Sequence, residues 1–313
     1  GPYTYSTFAN LSTTRYQMGG SGTAGTSALA FGGSTNPGAS NATEEWNGSS
    51  WSNGGTLIIG RRHNAGSSCG SVNSALSFGG TTNPTSQVAT EQYDGTSWTA
   101  KNCMITARQL LAGAGDVDSA AAIGGYSTTP TTAIYDNTEE FNGTNWSAGG
   151  ALITARQKVR ATGAQNAALA FGGNNPSYLN LTEEYNGSSW STGGTMTNSA
   201  ASRGAAGIQN AALAAGGYPT SETAVEQYDG TSWSTVTDSP ADILSGGAAG
   251  KVSSDGAFFF GGFNKPNSVC LSAPGGNEVN LATYKCELPA AWSQGGATIV
   301  TGYSNRAGIQ NSY

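Results

Sequence analysis

The sequence predicts an all-β fold, a β-propeller, on three observations. A Gly-Gly pair recurs every 44 to 48 residues along most of the 313-residue chain. Each of the five intervals contains an Asn-Gly or Asp-Gly pair between aromatic residues, which favours a hairpin with a type I′ turn. Segments with the length and pattern of an amphipathic helix are absent. Repeats of roughly 40–50 residues that hold about four short strands are typical of propeller blades.

The glycine pairs mark equivalent positions in six modules, and each follows a short apolar segment such as residues 166–171, which is predicted to be a buried strand. The pairs are Gly32 and Gly33, Gly79 and Gly80, Gly124 and Gly125, Gly172 and Gly173, Gly216 and Gly217, and Gly261 and Gly262. Successive pairs lie 47, 45, 48, 44 and 45 residues apart. This regularity indicates a repeat rather than a biased composition.

One tryptophan per module is predicted to fill the wedge between neighbouring sheets. This tryptophan ends a sequence motif that spans Glu44 to Trp51 in the first module, and the motif recurs four times along the chain. The six tryptophans are Trp51, Trp98, Trp146, Trp190, Trp233 and Trp292. Gly and Ala elsewhere let the sheets approach closely, so a low aliphatic content is compatible with a folded core.

Glutamate pairs at 44–45, 139–140 and 183–184 resemble the paired carboxylates of glycosidases. However, they recur at one position per module and would be spread around a ring, whereas a catalytic pair must converge. We therefore expect these glutamates to bind backbone amides or an arginine that also recurs between blades. The recurring arginines are Arg15, Arg61, Arg108, Arg156 and Arg203.

The repeats predict a single domain over residues 1–313 with six blades. The modules span about 5–50, 51–97, 98–145, 146–189, 190–232 and 233–291, with 292–313 as a partial repeat. The N-terminal segment 3–15 also resembles half a module, so strands from the two ends are expected to pair within one blade. The alternatives are a seventh, incomplete or shared blade, and pairing with a neighbouring copy.

An apolar strand that ends in Gly-Gly, followed by an aromatic residue and then a Trp, resembles the kelch repeat family over essentially the whole chain. The resemblance implies a propeller of four-stranded, kelch-like blades. These modules are poorer in charged and bulky aliphatic residues than typical kelch blades. The sequences of these modules are also similar to those of repeat proteins predicted in marine bacteriophages. This resemblance implies a protein of a virus particle.

Composition argues against several functions. Charged residues make up 10% of the chain, with 13 Lys and Arg and a net charge of −6, which disfavours binding to nucleic acid or to an anionic membrane surface. No apolar run has the length of a membrane span. The single histidine, His63, is expected on the surface or in a loop, and it cannot supply a copper or zinc site or a Ser-His-Asp triad. We expect no catalytic residue, metal ligand or cofactor.

The four cysteines suggest two disulfides. Cys270 and Cys286 bracket the long loop of the sixth module, where a cross-link would limit loop entropy, and this pair is favoured. Cys69 and Cys103 form a second, weaker candidate pair. The alternative is four free thiols.

The loops after each Gly-Gly vary most between modules, which in a repeat protein marks the working face. They span 34–42, 81–89, 126–137, 174–181, 218–224 and 263–281. The longest contains the expected contact residues Asn264, Lys265 and Asn267. We expect a non-enzymatic fibre, spike or decoration protein of a phage, virion or extracellular in location. Its partners would be other subunits of an oligomeric assembly and host glycan. The alternative is a secreted or cell-surface propeller that is lectin-like or forms filaments.

Overall fold

A computed structural model describes residues 4–24, 27–35, 38–219, 222–240, 242–250, 257–262 and 268–272. These residues form an all-β propeller of four-stranded antiparallel sheets. The innermost strands of the sheets contact one another in a closed ring around a central channel.

Five blades are each built from consecutive strands of one repeat. The first strand, β1 (Thr4–Phe8), belongs to none of them. Blade 1 comprises β2 (Gly19–Ala24), β3 (Ser27–Phe31), β4 (Thr43–Trp46) and β5 (Trp51–Asn53). Blade 2 comprises β6 (Ala65–Gly66), β7 (Ala75–Phe78), β8 (Thr90–Tyr93) and β9 (Trp98–Lys101).

The next three blades repeat this order from the channel outwards. Blade 3 comprises β10 (Ala112–Gly115), β11 (Ala120–Ile123), β14 (Thr138–Phe141) and β15 (Trp146–Ala148), with a small hairpin of β12 (Tyr126–Ser127) and β13 (Ala133–Ile134) in one of its loops. Blade 4 comprises β16 (Arg160–Ala164), β17 (Ala167–Phe171), β18 (Thr182–Tyr185) and β19 (Trp190–Thr192). Blade 5 comprises β20 (Gly204–Ile208), β21 (Ala211–Ala215), β22 (Val225–Tyr228) and β23 (Trp233–Thr235).

A further four-stranded sheet, here called the closing sheet, joins the two ends of the described chain. It contains β24 (Gly247–Ala249), β25 (Ala257–Phe260), β26 (Ser268–Ser272) and, as its outermost strand, β1. β1 runs antiparallel to β26, with Thr4 opposite Ser272 and Phe8 opposite Ser268. The N-terminal strand therefore pairs with a strand of the predicted sixth module. The segment 292–313, which the sequence predicts to pair with the N-terminus, lies outside the described residues.

The sequence predicts six blades, with seven as the alternative, whereas the described residues contain five that are each built from one repeat. The sixth repeat differs because it lacks the Asn-Gly or Asp-Gly turn before a Trp that closes the outer hairpin of the other five. β1 supplies the outer strand of the closing sheet instead. The predicted sixth hairpin with Trp292, and the partial repeat 292–313, lie outside the described residues. Each blade also ends after its Trp strand, while the module division of the sequence starts a new module at that Trp.

The core consists of hydrophobic clusters between adjacent sheets. Between blades 2 and 3, for example, Phe78, Phe141 and Trp146 pack together, with the rings of Phe78 and Trp146 5.1 Å apart. The same edge-to-face contact joins Phe31 to Trp98 at 5.0 Å. Because each sheet buries its faces only against its neighbours, the small side chains of β11 are all buried.

The outer hairpins form where the sequence predicts them, but their turns are not two-residue type I′ turns. Trp46 pairs directly with Trp51, so four residues form the loop. Gly48 has a φ of 95°, whereas Asn47 is not among the residues with positive φ. The Asn47 side-chain oxygen instead accepts the backbone N–H groups of Ser49 and Ser50, each at 3.0 Å. Asn and Asp are therefore used here as acceptors of backbone hydrogen bonds.

Candidate functional site

The variable loops and the links between blades lie on the same face of the propeller, here called the loop face. This follows because the strands of a blade alternate in direction, so the connections from second to third strand and from fourth strand to the next blade emerge together. The first residue of each loop is held at the link: Ser34 bridges to Tyr16 and Thr81 to Arg62, for example. The loops predicted to vary are thus anchored around the mouth of the central channel.

Each recurring arginine lies on a link and forms a buried ion pair with the first glutamate of its module, at 2.7 to 3.0 Å. The pairs are Arg15–Glu44, Arg61–Glu91, Arg108–Glu139, Arg156–Glu183 and Arg203–Glu226. The Arg108 Nη1 also donates to the carbonyl oxygens of Gly124 and Asn137, at 2.7 and 2.8 Å, which flank the variable loop of blade 3. The arginine therefore fixes the base of the loop.

The partner carboxylate ties the link to the blade. Glu139 accepts the backbone N–H groups of Ile105 and Thr106 at 2.7 and 3.1 Å, in addition to the guanidinium of Arg108. Burial lowers the pKa of Arg108 from its ordinary value, and the charge of Glu139 opposes that shift. The expectation that the paired glutamates bind arginine and backbone amides is confirmed for the first glutamate of each pair.

The second glutamate of each pair binds the neighbouring blade, a contact that our sequence analysis missed. The Tyr185 hydroxyl donates to Glu140 at 2.6 Å and accepts the Gly150 N–H at 3.1 Å. Equivalent bonds join Tyr93 to Glu45 and Tyr228 to Glu184. Burial, followed by the hydrogen bond to the carboxylate, raises the pKa of Tyr93 and of Tyr228 to about 12.

Covariation between the modules marks this contact in the sequence. Where blade 3 presents Phe141 instead of Tyr, blade 2 carries Gln92 instead of Glu. In blade 2, Lys101 and Asn102 also replace the Gly-Gly pair that follows the outermost strand of the blades that make this contact. A Cβ at Gly149 would lie 2.8 Å from the Tyr185 hydroxyl oxygen, so the glycine makes room for the phenol.

Six residues with left-handed backbone form a closed ring at the mouth of the channel, with φ between 53° and 58°. They are Gln17, His63, Leu110, Lys158, Ser202 and Ser245. The backbone N–H of each donates to the carbonyl oxygen of the preceding member, and that of Gln17 donates to Ser245, at distances of 2.6 to 3.1 Å. The ring holds six side chains around one pocket.

The pocket has a volume of about 240 Å³. The ring residues form much of its wall, and Tyr178 and Tyr218 from two variable loops lie at its rim. These two tyrosine rings make an edge-to-face contact at 5.5 Å, and Tyr218 is half exposed. No Asp or Glu is among the described residues that line this pocket.

Blade 4 supplies two cations to the channel. Arg160 lies opposite Phe171 in the first strand pair of its blade. The equivalent residues in the other sheets are all small: Gly19, Ala65, Ala112, Gly204 and Gly247. Lys158 stands two residues before Arg160, on the ring. Arg160 lines both this pocket and a smaller cavity of about 60 Å³ between the innermost strands.

His63 lies on the link between blades 1 and 2, a loop position within the expectation of a surface or loop residue, and it also lines the pocket. Its Nδ1 lies 3.0 Å from the side-chain oxygen of Gln109, so Nδ1 carries the proton and donates. Burial first, and then the positive charges of Arg62, Lys158 and Arg160, lower the pKa of His63 to about 4 against the opposing effect of the hydrogen bond with Gln109. His63 is therefore neutral at pH 7.

The predicted disulfide between Cys69 and Cys103 is wrong, because neither cysteine forms a disulfide in the structure. Cys69 lies in the turn between β6 and β7, where its thiol contacts the Gly163 carbonyl oxygen across the channel. Cys103 follows β9 on the outer edge of the loop face, so the two residues are far apart in the blade. Cys286, the proposed partner of Cys270, lies outside the described residues. Cys270 itself belongs to β26, not to a loop.

The predicted contact residues Asn264, Lys265 and Asn267 lie outside the described residues. Residues 268–272 of the same predicted loop are a strand. Across the described part of the chain, no three His, Cys, Asp or Glu side chains cluster as metal ligands would. The same residues include no helix with the length and hydropathy needed to cross a bilayer.

Comparison with known proteins gives no relative: no protein-family model matches the chain, and no curated protein matches its sequence.

Proposed function

We propose that this chain is a non-enzymatic binding and structural protein of a virus particle, such as a phage fibre, spike or decoration module. The observation that carries the proposal is the construction of the loop face. Loops of different sequence and length are held at their bases by the same buried Arg–Glu pair, as Arg15 and Arg108 illustrate. Such an arrangement keeps the scaffold constant while the loops vary, which suits contact with a host or with a neighbouring subunit.

We further propose that the fold is a six-bladed, kelch-like propeller in which the closing sheet serves as the sixth blade. Its innermost strand, β24, contacts β20 on one side and β2 on the other. Hydrophobic clusters between the closing sheet and both neighbours also support this count. The ring of innermost strands leaves only short edges that face the channel, as expected for a propeller that serves as a rigid scaffold.

A loop exchange tests the display function. The loop 126–137 of blade 3 is replaced by the shorter loop 174–181 of blade 4, both of which begin after a Gly-Gly pair. The purified variant should keep the thermal unfolding profile of the native protein and lose binding to particles that lack this protein. Unchanged binding by this loop exchange and by a variant with all described loops shortened would contradict the proposal, as would turnover of a glycan by the native protein.

A second candidate is a secreted or cell-surface lectin-like propeller, and the central pocket with its aromatic rim favours it. A glycan array separates the two functions. Binding of the free monomer to sugars, together with absence from purified particles, would support the lectin. Incorporation into particles supports the first proposal.

A further inference from the structure

The most unusual feature of the repeat is a pair of cations where every other module is neutral. At the position of Arg160 the other five sheets carry Gly or Ala, and at the ring position of Lys158 they carry Gln, His, Leu or Ser. The fold does not require either charge, since five sheets form the same strand pair without them. A charge inside a protein is unfavourable unless it is paired, so these residues act against the stability of the scaffold.

Neither cation has an anionic partner within the described part of the chain. The Arg160 Nε donates to the carbonyl oxygen of Arg203, next to the inner strand of the adjacent blade, at 2.5 Å. Its two terminal nitrogens and the Lys158 ammonium make no hydrogen bond or ion pair with the described residues. Burial lowers the pKa of Arg160 to about 10, so the group remains charged at pH 7.

The same pocket contains hydrogen-bond acceptors without a donor among the described residues. They are the side-chain oxygens of Gln17 and Asn64 and the Nε2 of His63. Asn64 is only 5% exposed. Since His63 uses its Nδ1 proton to bind Gln109, its Nε2 presents a lone pair. Buried acceptors of this kind require donors such as hydroxyl groups.

We propose that the central pocket binds one acidic sugar residue, with its carboxylate on Arg160 and Lys158 and its hydroxyls on Gln17, His63 and Asn64. Tyr178 and Tyr218 lie at the rim, where a half-exposed ring offers an apolar surface to the sugar. A cavity of about 240 Å³ fits a single sugar better than an oligosaccharide. The assignment deepens the glycan contact of the proposed function by naming its site and its charge.

The single histidine makes the pocket directly observable. Because the chain has one histidine, its imidazole gives one set of NMR signals, and that histidine lies in the pocket wall. A bound carboxylate would offset the positive charges of Arg62, Lys158 and Arg160, so the pKa of His63 should rise from about 4. No carboxylate of the described protein lines the pocket to obscure the effect.

The experiment titrates the intact protein with glucuronic acid and with N-acetylneuraminic acid, while His63 is followed by NMR and affinity by calorimetry. Methyl glucoside tests the need for the charge, and inorganic phosphate and acetate test the need for the sugar. Arg160→Ala restores the small residue of the other blades, and Lys158→Ser restores the serine of Ser202 and Ser245. Lys101→Ala, on an outer strand, is the matched control for loss of one positive charge.

At least one acidic sugar should bind and shift the His63 signals, and each pocket variant should weaken binding roughly tenfold to a hundredfold, as expected for a charged hydrogen bond. Lys101→Ala should bind like the native protein. The proposal is overturned if neither acid shifts the His63 signals, if phosphate or acetate binds as tightly as the sugar acids, or if Lys101→Ala weakens binding as much as Arg160→Ala. Failure here leaves the loop-exchange result unaffected, so the two proposals are tested separately.

Discussion

Removal of the Arg108 guanidinium should destabilise the propeller strongly. In Arg108→Met the Glu139 carboxylate, 2% exposed, loses its cation, and the carbonyl oxygens of Gly124 and Asn137 lose a shared donor. Breaking a buried ion pair from one side costs about 3–5 kcal/mol. Glu139 keeps two backbone N–H donors, at 2.7 and 3.1 Å, so we expect the lower end, a loss of about 3 kcal/mol in the free energy of unfolding.

Urea unfolding followed by tryptophan fluorescence and by far-UV circular dichroism measures this loss, and the two probes must give coincident transitions for the free energy to be meaningful. Lys101→Met is the control, because Lys101 has no ion pair among the described residues. It should change stability by less than about 0.5 kcal/mol.

The double variant Arg108→Met with Glu139→Met distinguishes the buried pair from a simple loss of packing. With both charges gone, no ion is left uncompensated, so the double variant should be more stable than Arg108→Met alone. The reasoning would be refuted if Arg108→Met lowered the free energy of unfolding by less than about 1 kcal/mol. It would also be refuted if the loss of stability in the double variant equalled the sum of the losses in the two single variants.

Two further predictions concern contacts that differ between blades. Tyr185→Phe leaves Glu140 without its phenol donor and should lower the free energy of unfolding by about 1–2 kcal/mol. The same urea titration measures this change. An unchanged midpoint would show that the hydrogen bond between the blades contributes nothing to stability. The second prediction concerns the pH dependence of stability. The pKa of His63 is about 4 in the folded protein and near 6.5 in the unfolded protein, so the unfolded state binds more protons between these two pH values. The free energy of unfolding should therefore fall as the pH drops from about 6.5 to 4, by up to about 3 kcal/mol. His63→Gln, which copies Gln17 at the equivalent ring position, should remove that part of the pH dependence in thermal melts, and an identical slope in both proteins would contradict the assignment.

The fold was predictable because its determinants repeat. Gly-Gly pairs, aromatic hairpins and one Trp per module appear in the sequence at a fixed period, and each marks a strand or turn of a blade. The pairing of Arg108 with Glu139 was also predictable, since an arginine and a glutamate recur together in each of the five modules. What the repeat could not provide is its own exception: the sixth module departs from the pattern, and the N-terminal strand pairs with β26 of that module.

The candidate site was less predictable, because it depends on departures from the repeat. Arg160 is one arginine among 13 basic residues, and it becomes conspicuous only once the strand register shows Gly or Ala at the same position of every other sheet. Similarly, His63 looks like an isolated polar residue until the ring of left-handed residues places it in the pocket wall. The Tyr185–Glu140 contact, in contrast, could have been found from the sequence by comparing modules, since Phe141 coincides with Gln92 in the preceding blade.

A cross-link between β1 and β26 tests most directly the claim that one chain closes its own ring. Ser6 lies opposite Cys270 in the strand register. Opposed residues of an antiparallel pair have Cα atoms about 4.5–5.5 Å apart, which is compatible with a disulfide. In a background in which the other three cysteines are replaced, Ser6→Cys should oxidise to a disulfide within the monomer, seen by intact mass and by non-reducing electrophoresis. Thr7→Cys, which lies opposite Val269 and not Cys270 in the register, should not. A disulfide-linked dimer, or equal oxidation of both variants, would contradict closure by the chain's own N-terminal strand.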